Sequence, residues 1–440
     1  MKPQEKPAQK SLFQISLNHV CDPKNPLYIL ADQIDWQSLH NIFSELYCEG
    51  NGRPAKSVRL MVGLHYLKAM YGESDESVVM KWVENPYWQY FCGETEFQHE
   101  FPIEPTSMTK WRKRSEKNGL SELLTQTIAT GLKVKAVDKK DFARVNVDTT
   151  VMEKAITYPT DAKLLYKMLL RLLKLAKEKN VNLRQSYTRK AKASFIMQHR
   201  YRHARQSKRA NKEVRNLRTY LGRVMRDMGR KVMNDSEVQI QLELANRLLK
   251  QKREDKNKIY SLHAQEVECI AKGKAHKKYE FGVKLGLVAT SENPFILASQ
   301  ALPGNPYDGH RLQELLVEAK HNTIAQNRIK QVFADQGYRG HNASEEIEVH
   351  IVKRGMRKIK QSLRYWLKRR SAIEPVIGHM KNDNGTKRNH LMGQSGDAMN
   401  AILMACGYNL RKCLAAILFL FQIFAATIFE KNNAARYQAA

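Results

Sequence analysis

Cysteine is scarce in this chain of 440 residues, and no two of its six copies form a Cys-x-x-Cys pair. They are Cys21, Cys48, Cys92, Cys269, Cys406 and Cys413. Such scattered spacing argues against a zinc motif or a disulfide framework and favours a reducing cytoplasm. The first residues also lack the apolar stretch of a secretory signal peptide, so we expect a cytoplasmic protein.

Acidic residues are also few. Lys and Arg number 74 against 44 Asp and Glu, which gives a formal net charge of +30. So large an excess of one sign repels itself unless an anionic partner screens it. Nucleic acid fits best, because phosphate contacts release counterions and drive binding. A merely soluble basic protein, or a ribosome-associated one, is the plainer alternative.

Long apolar runs are missing as well. The longest, residues 414–429, contains Gln422 and Thr427 and is shorter than the ~20 residues that a membrane-spanning helix needs. We therefore predict that residues 413–440 form an apolar C-terminal helix and tail, buried or mediating oligomerisation, and we prefer this to a membrane contact.

Residues 1–135 are predicted to form a helical N-terminal domain. Apolar residues recur at helical spacing over residues 58–70, and Ser74 can cap the next helix. A third helix is basic, and its candidate DNA contacts are Lys110, Arg112 and Arg114. Helix, turn, helix and then a basic helix is the order of a DNA-reading module. The alternative is a small helical bundle whose charges face water.

Residues 161–260 hold most of the excess charge, with 28 Lys and Arg against 9 Asp and Glu, an excess of 19. No Pro interrupts the segment, and apolar residues recur at helical spacing from Leu164 to Leu173. We predict a basic helical insertion that lies on phosphates, with a solvated helical face as the alternative. Phosphate contacts alone give no sequence specificity.

Three carboxylates stand at structured positions. Asp148 lies inside the predicted strand 143–151, where an unpaired charge is costly. Asp335 directly follows a short predicted strand, and Glu374 lies on a predicted helix. Together such acids can hold two Mg²⁺ ions ~4 Å apart, which clamp the attacking and leaving oxygens of a phosphodiester. Singly each acid is weak evidence, because most Asp residues at strand ends are turn formers.

The segments around these acids resemble the DDE transposases of insertion sequences, and they are most similar to the branch named after insertion sequence five. Residues 145–150, Val-Asn-Val-Asp-Thr-Thr, resemble the first acidic motif of that family. Residues 333–340, Phe-Ala-Asp-Gln-Gly-Tyr-Arg-Gly, resemble the second. Segments 301–310 and 53–88 are similar as well, so the resemblance covers roughly residues 27–412.

The third motif of that family is Tyr, two residues, Arg, three residues, Glu, six residues, Lys. Arg370, Glu374 and Lys381 stand at these spacings, whereas Leu367 occupies the Tyr position, with Tyr365 and Trp366 beside it. On a helix, residues four apart share a face, so Arg370 and Glu374 are expected to face the same way. A solvated ion pair between them is the plain alternative.

The resemblance implies an α/β fold: an RNase H-like mixed-sheet catalytic core with a helical N-terminal domain and a large helical basic insertion. The core would comprise residues 140–160 and 261–412. The resemblance also implies that Asp148 bridges two Mg²⁺ ions, with Mn²⁺ as a substitute, and that Asp335 and Glu374 hold one each. Arg370 and Lys381 would contact the DNA backbone.

The implied function is a transposase that binds the ends of an insertion sequence, cuts double-stranded DNA and transfers the strand to target DNA. A homodimer is expected, because two ends must be held at once. The alternatives are a nuclease that cuts without joining, a basic nucleic-acid-binding protein without chemistry, and an inactive remnant of an element. The three acids must lie near one another for the catalytic hypothesis to hold.

Overall fold

The computed structural model describes residues 2, 15–48, 50, 54–115, 119–252, 254–271, 277–323, 329–352, 360–385 and 387–438, with side chains as far as residue 420. The chain divides into two compact units. The main unit comprises Met1–Glu153 and Val283–Ala440, and the insertion unit comprises Lys154–Gly282. The fold is a mixed α/β one, as predicted.

The helices and strands of the described residues are as follows. The first helices are α1 (Leu17–Val20), α2 (Pro26–Gln33), α3 (Trp36–Ser44), α4 (Val58–Tyr71), α5 (Asp75–Glu84), α6 (Pro86–Phe91), α7 (Pro105–Ser115) and α8 (Leu120–Lys133). The strands are β1 (Arg144–Glu153), β2 (Glu268–Ala271), β3 (Tyr279–Thr290), β4 (Ile296–Leu302), β5 (Gln331–Ala334) and β6 (Glu348–Ile351). The remaining helices are α9 (Asp161–Glu178), α10 (Thr188–His203), α11 (Ser207–Lys231), α12 (Ser236–Lys250), α13 (Leu312–Asn322), α14 (Gln361–Arg369), α15 (Ile373–Asn382) and α16 (Gly393–Gln438).

The sheet of the main unit has the strand order β4-β3-β1-β5-β6. β3 and β4 pair antiparallel, whereas β1, β5 and β6 run parallel to one another. Val145, Val147 and Val332 are fully buried, which is typical of strands covered on both faces. Because β1 and β5 are parallel neighbours, side chains near their carboxyl ends can meet at one edge of the sheet.

The N-terminal helices share one hydrophobic core with this sheet. Local sequence sets their ends: Ser74 and Ser77 form a reciprocal capping box at the start of α5. Gly72 ends α4 with φ +67°, and a side chain there would collide with the carbonyl oxygen of Asp383. The helical N-terminal region is therefore packed into the main unit and does not form a separate body.

Helix α16 joins both parts of this core. Gly407 packs directly against the backbone of Ala69 in α4. The buried amide of Asn409 donates to the carbonyl of Ile296 and accepts from its N–H, each at 2.9 Å. By length and composition Gly393–Leu420 could cross a membrane, but 56% of its apolar window is buried in the protein. These contacts are those of a core helix. The predicted apolar segment 413–440 continues this helix as far as Gln438, and its side chains beyond 420 and its last two residues lie outside the described residues.

The insertion unit is mostly helical. Leu172, Leu221, Met228 and Val238 of α9, α11 and α12 are fully or almost fully buried in its own core. β2 pairs antiparallel with residues 279–282 at the start of β3. The insertion was predicted as residues 161–260, and the compact unit has the wider bounds Lys154–Gly282, which include this strand pair.

Candidate active site

Asp148 lies near the middle of β1 with its side chain 17% exposed. Its Oδ1 accepts the N–H of Thr149 at 2.7 Å. Two residues earlier, and so on the same face of the strand, the buried Asn146 donates to the carbonyl of Arg369 at 3.0 Å. Ser291 in turn donates to the Oδ1 of Asn146 at 2.8 Å. This chain of bonds fixes the end of α14 beside Asp148.

Arg370 follows at that end, in a short 3₁₀ turn between α14 and α15. Its Nη1 lies 3.4 Å from Oδ2 of Asp148, and its Nη2 lies 3.5 Å from Oε1 of Glu374. Glu374 is 66% exposed, in the first turn of α15, and Pro375 follows it. In the first turn of a helix a backbone N–H has no partner within the helix, so Pro375, which lacks one, is compatible with a helix that begins at Ile373. One guanidinium therefore contacts two of the three predicted acids.

Asp335 directly follows β5 and caps the next turn, accepting the N–H of Gly337 at 2.8 Å. A side-chain carbon at Gly337 would lie 3.0 Å from Oδ1 of Asp335 and 3.2 Å from Oδ2 of Asp308. Only glycine fits between these carboxylates without displacing one. Asp308 is itself paired with Lys284, with Nζ 3.0 Å from Oδ1.

The hydroxyl of Tyr338 is influenced by the charges of these acids. Its side chain is fully buried, and its hydroxyl has no hydrogen-bond partner within the described residues. Burial raises the pKa of Tyr338 well above its usual value, and the negative charges of Asp308, Asp148 and Asp335 add to the rise, while Arg370 opposes it. Asp148 and Asp335 therefore lie near the same buried hydroxyl, and Arg370 extends the cluster to Glu374.

The three predicted acids do not form a ready coordination sphere in this conformation. Among the described side chains, no three His, Cys, Asp or Glu groups are close enough to hold one ion. Arg370 stands between Asp148 and Glu374 instead. The chemistry still suits Mg²⁺, which prefers carboxylate oxygens supplemented by water and phosphate. The unpartnered Tyr338 hydroxyl amid several carboxylates marks the same place as electronegative.

Two family models match the chain. The Transposase domain (DUF772) matches residues 15–114, and the Transposase DDE domain matches residues 269–410. The chain is also 47% identical over 207 residues to the uncharacterized protein ORF8 in the nfe locus of Rhizobium meliloti. That match covers 47% of this chain and 100% of the relative. No solved structure matches the chain.

The chain belongs to the DDE transposases of insertion sequences. The predicted fold class is confirmed, because the mixed sheet and its helices fit the RNase H-like core of this family. The matched DDE segment contains Asp335 and Glu374 and excludes Asp148, which precedes the insertion. The assignment of Asp148 in this transposase therefore depends on its contact with Arg370 and its nearness to Tyr338.

Arg112 corrects one prediction for the basic helix α7. It is 6% exposed, and its guanidinium donates to both oxygens of Asp75, with Nη1 2.9 Å and Nη2 2.5 Å from them. Its Nη1 also lies 3.3 Å from Nε2 of the fully buried His65. A guanidinium fixed in this way holds α7 against α4 and α5 and is not available to DNA. Lys110 and Arg114 are exposed, and both line a cavity beside α7.

His65 belongs to the same buried cluster. Burial, together with the nearby charge of Arg112, lowers the pKa of His65 to about 3. Its Nδ1 lies 2.7 Å from the carbonyl oxygen of Met61, so the neutral ring donates there and presents Nε2 to Arg112 as an acceptor. Burial alone would raise the pKa of Asp75, but hydrogen bonds and charges from Arg112 and Lys68 outweigh it and hold the pKa far below its usual value.

The aromatic side chains near the third motif differ in their neighbours and in their exposure. Trp366 stacks on Phe333 of β5, and the guanidinium of Arg144 lies 4.6 Å from the centre of its ring. Tyr365 is 52% exposed. Leu367, which takes the family's Tyr position, is half-buried. Tyr365 is therefore the side chain of this group that a DNA ligand can reach most easily.

Sequence reasoning missed the supporting residues of the site. Asn146 belongs to the first motif, but sequence reasoning assigned it no role. Its position two residues before Asp148 on a buried strand indicates that the two side chains lie on the same face. Asp308 lies in the family-like segment 301–310 and was given no role in the active site, whereas its side chain pairs with Lys284. No local pattern links Asp308 to Asp335, because their proximity arises from how the chain returns to the sheet edge.

Proposed function

We propose that this transposase binds the ends of an insertion sequence and cuts and rejoins DNA with Asp148, Asp335 and Glu374 as its catalytic carboxylates. The observation that carries the proposal is that Arg370 contacts both Asp148 of β1 and Glu374 of α15, while Asp335 follows β5, the parallel neighbour of β1. The contact between Asp148 and Arg370 joins residues 222 positions apart in the chain.

The carboxylates would hold Mg²⁺, or Mn²⁺ in its place, and the bound metal supplies an activated water and charge neutralisation at the phosphate. Arg370 has two roles in this proposal. Without DNA its guanidinium balances the charges of Asp148 and Glu374. With DNA bound, its donors turn to the phosphate, which Arg binds in a bidentate manner. Glu374, being largely exposed, is free to rotate toward Asp148.

Arg370 and Lys381 would contact the backbone beside the cut, and Lys110 and Arg114 would hold duplex DNA at the N-terminal helices. In the insertion unit, the tip of the α10–α11 hairpin carries a cluster of exposed cations. They are Arg200, Arg202, Arg205, Lys208, Arg209 and Lys212. This density fits sequence-independent phosphate binding. We further propose a homodimer on DNA and action in the cytoplasm without a membrane partner.

The test uses the full chain and a duplex that carries the ends of its own element. Asp148→Asn and Glu374→Gln should reduce Mg²⁺-dependent cleavage to background while leaving DNA affinity within about twofold, because each keeps shape and removes one metal-binding charge. Asp138→Asn serves as the matched control and should cleave normally, because this exposed carboxylate pairs with Lys140 and Asn can replace it as the N-cap of the following 3₁₀ turn.

Strand transfer is measured separately with pre-cut ends and a plasmid target. A protein that cuts but never joins is a nuclease, and the transposition proposal then fails. Full cleavage by either active-site variant contradicts the catalytic assignment. If wild-type protein binds DNA but neither cuts nor joins with Mg²⁺ or Mn²⁺, this copy is a binder or an inactive remnant.

A further inference from the structure

A cavity of about 820 Å³ lies in the main unit, bordered by the α4–α5 turn, α7 and the segment that joins α15 to α16. Its cationic rim is formed by Lys113, Lys381, Lys387 and Arg388, and His390 lies in the same lining. Its apolar floor is formed by Leu391, Met392, Met399 and Met404. We call this cavity the strand groove. Lys381 lies on α15, the helix that carries Glu374, so the groove begins near the candidate active site.

Two buried asparagines, Asn384 and Asn389, anchor the chain on either side of the rim cations Lys387 and Arg388. Asn384 donates to the carbonyl of Ala69 at 2.9 Å, which ties the start of the loop to α4. Asn389 donates from its backbone to the carbonyl of Glu153 at 2.7 Å and from its side chain to Asp397 at 2.6 Å. Lys387 and Arg388 lie between these anchors and are exposed. These bonds anchor described residues on both sides of the two cations.

The acids in the wall of the groove are largely neutralised. Asp75 is paired with Arg112 and Lys68, and Glu73 is paired with Lys81. Glu76 is the remaining wall carboxylate of the described residues. The exposed cations at the rim outnumber it, so the groove attracts anions and not metal ions.

The volume of the strand groove favours an unpaired DNA strand over a duplex as its anionic ligand. Ligand cavities of roughly 300–1,000 Å³ enclose groups of small-molecule size. A double helix, whose major groove alone is about 12 Å wide, does not fit inside one. A short stretch of unpaired strand suits this volume, because its bases would lie on the apolar Leu and Met side chains of the floor while its phosphates meet the cations at the rim. Met392 is 56% exposed and offers an apolar surface beside the basic residues of the rim.

We propose that the strand groove binds an unpaired stretch of one DNA strand and so guides a frayed or nicked end past Glu374. The inference deepens the proposed function, since it depends on DNA being the substrate. It assigns new roles to Lys113, Lys387, Arg388 and Met392, which join Lys381 along one path. Arg112 contributes by fixing the wall of this path and not by touching DNA.

The test measures binding of a fluorescent short single strand and of the same sequence as a blunt duplex to the full chain, across a salt series. Lys387→Glu with Arg388→Glu should weaken single-strand binding at least tenfold. If two phosphate contacts are lost, the slope of log affinity against log salt should fall by about 1.4. Binding of the blunt duplex should change less than threefold, because the other basic surfaces remain.

The control is Lys139→Glu with Lys140→Glu, an equal charge reversal before the start of β1. Asn389, next to Arg388, bonds to Glu153 at the other end of β1. A strand of ten residues is about 30 Å long, so the two double variants lie that far apart. A further variant, Met392→Asp, should weaken single-strand binding alone. Equal losses for both double variants, or equal losses for single strand and duplex, overturn the proposal. Full competition by pyrophosphate would show an anion site only and also overturn it.

These readings are independent of cleavage. If the wild-type protein fails to cut DNA, the proposed function fails while the groove is still judged by strand binding. If cleavage succeeds and the double variant binds single strands normally, the groove proposal fails alone.

Discussion

Replacing Arg370 should have opposite effects on metal binding and on catalysis. In the structure its guanidinium lies 3.4 Å from Asp148 and 3.5 Å from Glu374 and balances their charges. Arg370→Ala removes this competitor, so divalent ions should bind the DNA-free protein more tightly. The same change removes the donor that would meet the scissile phosphate, so cleavage should slow even with metal in excess.

The size of the metal effect follows from exposure. The contact with Glu374 is an i,i+4 pair with one partner 66% exposed, and such pairs contribute only about 0.3–0.5 kcal/mol. The contact with Asp148 is more buried, with both side chains 17% exposed, and we assign it roughly 1 kcal/mol after desolvation. Together they correspond to about a tenfold gain in metal affinity.

The assay is calorimetric titration of the DNA-free full chain with Mn²⁺, followed by single-turnover cleavage at saturating metal. Lys368→Ala is the matched control, because it removes an exposed cation two residues away that contacts neither acid. Unchanged or weaker metal binding in Arg370→Ala would refute the competition argument. Normal cleavage by that variant would remove Arg370 from the phosphate.

Two further predictions concern the buried polar groups. Because the pKa of His65 is lowered to about 3 in the folded protein, the unfolded chain takes up its proton first, and stability falls as pH drops from 6.5 toward 3. His65→Gln should remove roughly 5 kcal/mol of this pH dependence, measured by denaturant unfolding at a series of pH values, and an unchanged slope would contradict the assignment. Asp308→Asn should lower the free energy of unfolding by about 1–3 kcal/mol, because it leaves the nearly buried Lys284 without a carboxylate. The exposed carboxylate of Asp138 should cost less than about 0.5 kcal/mol when changed to Asn, and equal losses at the two positions would show that Asp308 is only a surface pair.

Local sequence patterns predicted several helices and strands and singled out the three candidate acids. The short strand before Asp335, residues 331–334, and the cap at Ser74 follow from patterns within a few residues, because side-chain period and capping are local properties. The spacing of Arg370 and Glu374 likewise predicted a shared face, and the two side chains contact each other.

Chain packing determines which basic side chains of α7 support the fold and which line the cavity. On α7, Arg112 is buried against Asp75, whereas its neighbour Lys113 lines the strand groove. Nothing in a run of basic residues distinguishes the two, since the difference arises from an acid 37 positions away. The carboxylate pair of Asp308 and Asp335 around Gly337, and the place of Arg370 between Asp148 and Glu374, are long-range in the same way. The sequence identifies the charged groups, but chain packing determines which of them come into contact. Electrostatic interactions depend on distance in space and not on separation along the chain.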